Sequence, residues 1–253
     1  SDGLITLNFN ENMKTQSGIS IPATLGIRFN VSDEPIDFDG KITVPFCPES
    51  KLSGVQYTDF INHIWYQRTI TMPQAWEGRN VKLNFGAVYY NSEVYIDGRL
   101  AGRHFGGSTS FAIDVTKFIS DGKPHSLVVH AYSDTRTAKQ PAGKQSTWYH
   151  SHGCSYTRTT GIWQTVWLEF VPKTHVKYCK YIPDIQNGIL HVTGEAVGCG
   201  ELILSSSYEG KPTGDARIPV EGGAFSTRIQ LSELHLWEIG QGCLYDLEMR
   251  FGE

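Results

Sequence analysis

The chain has 253 residues, enough for one large domain or two modest ones at roughly 150 residues per domain. Hydrophobic residues make up 40% and charged residues 19%, so the composition is that of a folded, turn-rich, soluble protein with a sizeable core and not of a disordered chain. A net charge of −4 without any basic run excludes the pattern of a nucleic-acid-binding protein, and no apolar stretch approaches the roughly 18 residues of a membrane span.

Hydrophobic and polar residues alternate with a period of two along most of the chain, which is typical of half-buried strands. The clearest alternating runs are residues 81–85, 94–96, 127–132, 225–231 and 245–251. Asp97-Gly98 lies between two such runs and predicts a tight hairpin, because both central residues of that turn have positive φ. Only the short segment 114–120 has a helical spacing. The sequence therefore predicts an all-β fold.

A domain boundary is predicted near Pro172, which ends the strand expected at residues 165–171. Five of the six tryptophans precede this proline, and only Trp237 follows it. Residues 1–171 are long enough for a jelly roll, that is, two sheets around an aromatic core. Residues 172–253 carry turn signals at Asn187-Gly188 and Glu209-Gly210, at the spacing of a small immunoglobulin-like sandwich.

Residues 161–169 form the segment richest in large side chains. Gly161 allows a sharp turn into a strand, on which Ile162, Gln164, Val166 and Leu168 would face one way. Trp163 and Trp167 would face the other way. Two interpretations stay open for the tryptophans: packing in a core near the domain junction, or a platform on which a sugar ring stacks.

The five cysteines are odd in number, widely spaced and without a C-x-x-C pair, which predicts neither a disulfide framework nor a zinc ribbon. We interpret them as buried free thiols, while a single disulfide stays compatible with the sequence. The cysteines therefore leave the compartment undecided.

His150-x-His152-x-Cys154 would place three ligands on one face of a strand. No second ligand pair accompanies it, and we favour unrelated side chains in a polar loop. The expected cofactor and metal content is none.

Several segments, in chain order, resemble glycoside hydrolase family 2, the β-galactosidase and β-glucuronidase group. The resembling segments are residues 42–50, Trp65-Tyr66-Gln67-Arg68, 83–88, 94–98, 102–107, 111–116, 140–145, 161–169 and Leu244-Tyr245-Asp246-Leu247. Residues 7–9 match the usual first motif poorly. The resemblance implies a galactose-binding-like jelly roll followed by an immunoglobulin-like domain.

In this family the two domains precede a (β/α)₈ barrel that carries both catalytic carboxylates. No strand–helix alternation of a barrel occurs here, and Asn10-Glu11, the one Asn-Glu pair, is interpreted as coincidence. Asp114 and Asp134 are interpreted as turn-capping acids, and no catalytic residue is expected. We therefore expect the non-catalytic N-terminal portion of a family 2 enzyme, truncated in its second domain, with residues 244–251 at an open sheet edge.

The expected partners are a carbohydrate, through the full-length enzyme, and the catalytic barrel of the same polypeptide. An oligomer stays compatible with the sequence. The resemblance implies that residues 48–54 and 152–160 help to shape the sugar pocket, and the candidate pocket residues are Glu49, Ser50, Lys51, Ser155, Tyr156 and Arg158. Lys51 and Ser155 replace an Asn and an Asp of certain family members, so the fine specificity is expected to differ.

Two alternatives belong to other functional classes. The chain could act as an autonomous carbohydrate-binding module, holding polysaccharide through exposed aromatic residues such as Trp148, Tyr149 and Tyr156. It could also be a structural or oligomer-forming β protein without a ligand. Exposure of those three aromatic side chains is the observation that separates a binding surface from a packed core.

Overall fold

The computed structural model describes residues 23–30, 37–38, 40–74, 77–137 and 139–252. It divides into two compact units, the first ending at Phe170 and the second beginning at Val171. Apart from a 3₁₀ turn at Lys51–Ser53, the helix of the described part is Thr116–Ile119 (α1), which lies where the helical spacing predicts it. None of the described helices is long and apolar enough to cross a membrane. The all-β prediction is confirmed.

Strands β1 to β11 build the first unit. Their bounds are β1 Ala23–Phe29, β2 Gly40–Val44, β3 His63–Thr71, β4 Asn80–Phe85, β5 Val88–Tyr89, β6 Asn91–Ile96, β7 Arg99–Phe105, β8 Phe111–Asp114, β9 Pro124–Tyr132, β10 Gly161–Ile162 and β11 Val166–Val171. The sheets have the orders β2-β1-β3-β9-β6-β7, β11-β4-β8 and β10-β5. Ile64 and Val94 of the first sheet and Leu83 and Leu168 of the second belong to one buried cluster, so the two larger sheets form a sandwich.

The prediction of one strand through residues 161–169 is wrong in one respect, because the strand is interrupted after Ile162. Residues 163–165 belong to neither β10 nor β11, although the Gly86 amide still donates to the Thr165 carbonyl at 2.8 Å. The Trp163 Nε1 donates to the Gly107 carbonyl, also at 2.8 Å. Gln164 is exposed rather than buried beside Ile162. The hydrogen bond of the Trp163 side chain to Gly107 thus outweighs the alternation of side chains that predicted one continuous strand.

The hairpin between β6 and β7 turns at Asp97 and Gly98, with φ values of 50° and 72°, as predicted. The side chain of His125, at the start of β9, contacts the carboxylate of Asp97 in this turn and that of Asp121. Its Nδ1 lies 2.6 Å from Asp97 Oδ2, and its Nε2 lies 2.7 Å from Asp121 Oδ1. Burial alone would lower the pKa of His125, but the two carboxylates outweigh burial and raise it.

This arrangement predicts a pH-dependent contribution to stability. Because the folded pKa of His125 is raised, its stabilisation is complete below the unfolded value of about 6.5 and is lost as pH rises through the folded value. His125→Asn should lower the free energy of unfolding by about 1 kcal/mol at acidic pH and by less at pH values well above neutral. Urea titrations at both pH values measure this difference. His150→Asn, at an exposed position of the same unit, is the control, and an equal pH response in both variants would refute the prediction.

The second unit is a sandwich of two three-stranded sheets. Its strands are β12 His175–Asp184, β13 Ile189–Val197, β14 Gly200–Tyr208, β15 Lys211–Val220, β16 Gly223–Gln230 and β17 Asp246–Gly252, in the orders β12-β13-β16 and β15-β14-β17. Val192, Leu202, Leu204, Phe225 and Ile229 form the centre of its core. Within the described residues β17 pairs only with β14, so it lies at a sheet edge as the sequence predicts.

All five cysteines are free, but the prediction that they are buried is wrong. Cys154 and Cys199 are exposed, and Cys47, Cys179 and Cys243 are half-buried. Cys154 lies in the tight turn closed by His152 and Ser155, and Cys199 lies in the turn between β13 and β14. Turns leave little surface to cover a side chain, which explains the exposure.

Candidate functional site

The two loops predicted to shape the pocket meet at Glu49. This residue is 9% exposed, and its Oε1 accepts a hydrogen bond from Thr160 Oγ1 at 2.5 Å. Its Oε2 accepts from the Thr160 amide at 3.2 Å. One carboxylate therefore joins residues 48–54 to the end of residues 152–160.

Burial affects the ionisation of Glu49 and of its neighbour Cys47. Burial raises the pKa of Glu49, although the hydroxyl and amide of Thr160 oppose the change. Burial and the neighbouring Glu49 charge together raise the pKa of the Cys47 thiol to about 11. Glu49 thus joins the two loops through hydrogen bonds from Thr160 to both of its carboxylate oxygens.

Arg158 is the second organiser of these loops and is only 3% exposed. Its Nη1 donates to the carbonyls of Ser146 and Trp148, at 3.1 and 2.5 Å, and its Nη2 donates to the Thr58 carbonyl. The guanidinium lies 4.1 Å from the centre of the Phe60 ring. Burial lowers the pKa of Arg158, and the charges of Glu49 and Asp59 oppose that change. The fork of Arg158 is occupied by backbone carbonyls, which fixes the shape of residues 146–158.

The other four predicted pocket residues make local contacts or face solvent. Ser50 caps the 3₁₀ turn by accepting a hydrogen bond from the Leu52 amide at 3.1 Å, and the Lys51 side chain is exposed. Ser155 closes a tight turn with His152. Tyr156 is 63% exposed. Lys51 and Tyr156 are therefore the most exposed of the six candidates, while Ser50 and Ser155 are half-buried.

Aromatic side chains next to Tyr156 are also exposed. Trp148 is 53% exposed and stacks on the His152 ring with centroids 3.8 Å apart, while Tyr149 is 62% exposed and meets the Phe60 ring edge-on at 5.1 Å. We call Trp148, Tyr149 and Tyr156 the aromatic loop surface. No sequence pattern singles out Phe60 as its support, because that role depends on two segments nearly a hundred residues apart.

The metal interpretation of His150, His152 and Cys154 finds no geometric support. The His152 Nδ1 lies 3.0 Å from Ser146 Oγ, and its ring is stacked on Trp148. Across the described ranges no three His, Cys, Asp or Glu side chains lie close enough to hold a metal ion.

Comparison with known proteins now assigns the family. Residues 8–171 match the model of the sugar-binding domain of glycosyl hydrolases family 2. The chain belongs to glycoside hydrolase family 2. The family 2 segment covers most of the first unit and includes both loops described above, so the resemblance noted from the motifs is confirmed.

Individual family 2 relatives agree with this assignment. The chain is 23% identical over 226 residues to a β-glucuronidase of Streptococcus agalactiae, covering 84% of this chain and 37% of that relative. It is 26% identical over 160 residues to a β-galactosidase of Thermoanaerobacter pseudethanolicus, covering 62% and 19%. The crystal structure of a Bacteroides uniformis β-glucuronidase has the same fold, with a TM-score of 0.70 at 21% identity over 90% of this chain and 30% of that one. The chain thus spans well under half the length of the relatives it matches.

Proposed function

We propose that this chain is the accessory front part of a longer family 2 enzyme that hydrolyses O-glycosidic bonds of a glucuronide or galactoside. The observation that carries the proposal is the match of residues 8–171 together with the partial coverage of β-glucuronidases and β-galactosidases. In this proposal the chain supports a catalytic barrel, and its loops form one wall of the sugar pocket.

Exposed apolar side chains in each unit favour the proposal that a partner domain packs against the chain. In the first unit the aromatic loop surface is exposed, and the carbonyl of its Trp148 accepts a hydrogen bond from the buried Arg158. In the second unit the segment between β16 and β17 exposes Trp237 by 68%, Ile239 by 93% and Leu244 by 81%. Large apolar groups concentrated in one exposed segment are typical of interaction surfaces. We propose that the barrel of the same polypeptide covers the surface of the second unit and that the aromatic loop surface faces the sugar pocket.

The 253-residue chain alone is expected to release no nitrophenol from aryl β-glucuronides or β-galactosides above a buffer blank. Glycoside hydrolysis needs two carboxyl groups on opposite sides of the scissile bond, and the family places both on the barrel. The full-length protein is expected to hydrolyse one of these substrates. Turnover by the chain alone that survives repurification would contradict the proposal.

The role of the loops is tested in the full-length enzyme. Tyr156→Ala should raise KM by about tenfold with a smaller change in kcat, because a wall residue contributes to binding. Tyr178→Ala, an exposed aromatic of the second unit, is the matched control and should change neither value. An unchanged KM in Tyr156→Ala would remove the loops from the pocket.

The exposure of the aromatic loop surface also favours a second function, that of an autonomous carbohydrate-binding module. Trp148 and Tyr149 would then stack on sugar rings of a polysaccharide without any barrel. Retention of the chain on insoluble polysaccharide, lost in Trp148→Ala, would support this function over the first.

A further inference from the structure

A groove of about 620 Å³ lies on the outer face of the six-stranded sheet. Strand register brings its side chains together in two neighbouring rows across β3, β9, β6 and β7. The first row is Trp65, His130, Glu93 and Arg103, and the second is His63, Tyr132, Asn91 and Phe105. Neither row includes a residue of the segments 48–54 and 152–160.

Glu93 and Arg103 form the polar centre of the groove. The Arg103 Nε donates to Glu93 Oε1 at 2.7 Å, and the Tyr95 hydroxyl donates to Glu93 Oε2, also at 2.7 Å. The Arg103 side chain is 67% exposed, and among the described residues only its Nε is hydrogen-bonded. The guanidinium is thus oriented by Glu93, while its terminal nitrogens remain available as a pair of donors.

Three histidines, His63, His104 and His130, line the groove, and His130 Nδ1 lies 3.7 Å from Glu93 Oε2. His63 Nδ1 lies 3.0 Å from His130 Nε2. The two rings are 4° from parallel and their centroids are 5.3 Å apart. One ring therefore donates a hydrogen bond to the other nearly within the plane of the rings. Burial lowers the pKa values of His63, His104 and His130, which favours neutral rings at neutral pH. The charges of Arg103 and Glu93 then balance, and the groove offers donors and acceptors without a net charge.

The groove also has an apolar wall. Phe105 is 71% exposed and is held edge-on against Tyr90, with centroids 4.9 Å apart. Tyr132 lies in the same row and its ring packs beside His63 at 4.8 Å. An exposed, fixed aromatic ring next to paired polar groups suits a ligand with an apolar face and a hydroxylated edge.

We propose that this groove binds a neutral oligosaccharide. A pyranose ring lies against Phe105, and its adjacent hydroxyls donate to Glu93 and accept hydrogen bonds from the terminal nitrogens of Arg103. A uronic acid is disfavoured, because its carboxylate would lie close to Glu93 without an unpaired positive charge to balance it. The inference does not depend on the proposed enzymatic function, since all of its residues lie in the described part of the first unit.

The test uses the 253-residue chain and calorimetric titration with maltotriose, cellotriose, galactotriose and mannotriose, with trigalacturonate as the charged probe. At least one neutral trisaccharide is expected to bind with a Kd of about 1 mM, and trigalacturonate about tenfold more weakly or not at all. Phe105→Ala and Arg103→Ala should each weaken binding about tenfold or more. Both side chains are exposed, so the variants should keep the unfolding midpoint of the original chain.

Tyr178→Ala is the matched control, because it removes an exposed aromatic of the second unit that does not line the groove and should leave this binding unchanged. Loss of binding in Tyr156→Ala but not in Phe105→Ala would place the sugar on the loops and overturn the inference. So would equal or tighter binding of trigalacturonate, or no binding of any neutral probe at tens of millimolar. Failure here leaves the kinetic tests of the full-length enzyme unaffected, so the two proposals can fail separately.

Discussion

Replacing Arg158 by alanine is expected to lower the free energy of unfolding by about 3 kcal/mol. The change leaves the carbonyls of Ser146, Trp148 and Thr58 without their shared donor in a site that is almost fully buried. It also removes the cation from the Phe60 ring. Urea unfolding followed by circular dichroism measures the loss, and tryptophan fluorescence should report Trp148 becoming more mobile in the folded chain.

Arg136→Ala is the matched control for this prediction. Arg136 lies over the same Phe60 ring, 4.5 Å from its centre, but is exposed, so its removal should cost less than about 1 kcal/mol. Arg158→Lys keeps the charge but loses the planar fork, and we expect an intermediate loss. Equal losses in Arg158→Ala and Arg136→Ala would show that the buried guanidinium does not organise the loop.

Replacing Gly161 by alanine is expected to destabilise the first unit by about 3 to 5 kcal/mol. Gly161 has φ of +65°, and a Cβ there would lie 2.2 Å from Tyr66 Oη and 2.9 Å from Ile64 Cγ2. Tyr66 is 1% exposed and its hydroxyl accepts the Ile162 amide at 3.0 Å, so the ring cannot move aside without losing that bond. The unfolding midpoint in urea, compared with that of the unsubstituted chain, measures the effect.

Gly143→Ala separates backbone strain from steric conflict. Gly143 has a similar φ of +59°, yet nothing lies within 4 Å of the position of its Cβ. It should cost only about 1 kcal/mol. Adding Tyr66→Phe to Gly161→Ala removes the nearest atom and should recover part of the stability. A Gly161→Ala variant no less stable than Gly143→Ala would refute the steric explanation.

Local features of the fold could be predicted from the sequence because they depend on neighbouring residues. The alternation at residues 81–85 and the Asp97-Gly98 pair each specify a strand or a turn within a few positions. The interruption after Ile162 could not be predicted in this way, since it depends on Gly107, more than fifty residues away. The exposure of Cys154 depends on the turn that surrounds it and not on the preference of cysteine for the interior.

The sequence predicts which two segments form the candidate site, but it does not predict how their residues contact one another. Glu49 and Thr160 are 111 positions apart, so nothing near either residue indicates that they bond. Arg158 is charged and lies in a loop, which favours an exposed pocket residue over the buried one observed. The groove containing Glu93 and Arg103 needs the register of four strands, and no single strand contains it.

Within residues 145–160 the residues that determine the shape of the segment differ from those that face outward, and this difference has an evolutionary consequence. The shape of this segment depends on buried contacts of Arg158 and Thr160, whereas Trp148, Tyr149 and Tyr156 present most of their surface outward. Substitutions at the outward positions should therefore be nearly neutral for folding, since surface changes usually alter stability by less than about 0.5 kcal/mol. Under the proposed function, the residues that face the sugar can therefore vary without a change in the buried contacts that give the loop its shape.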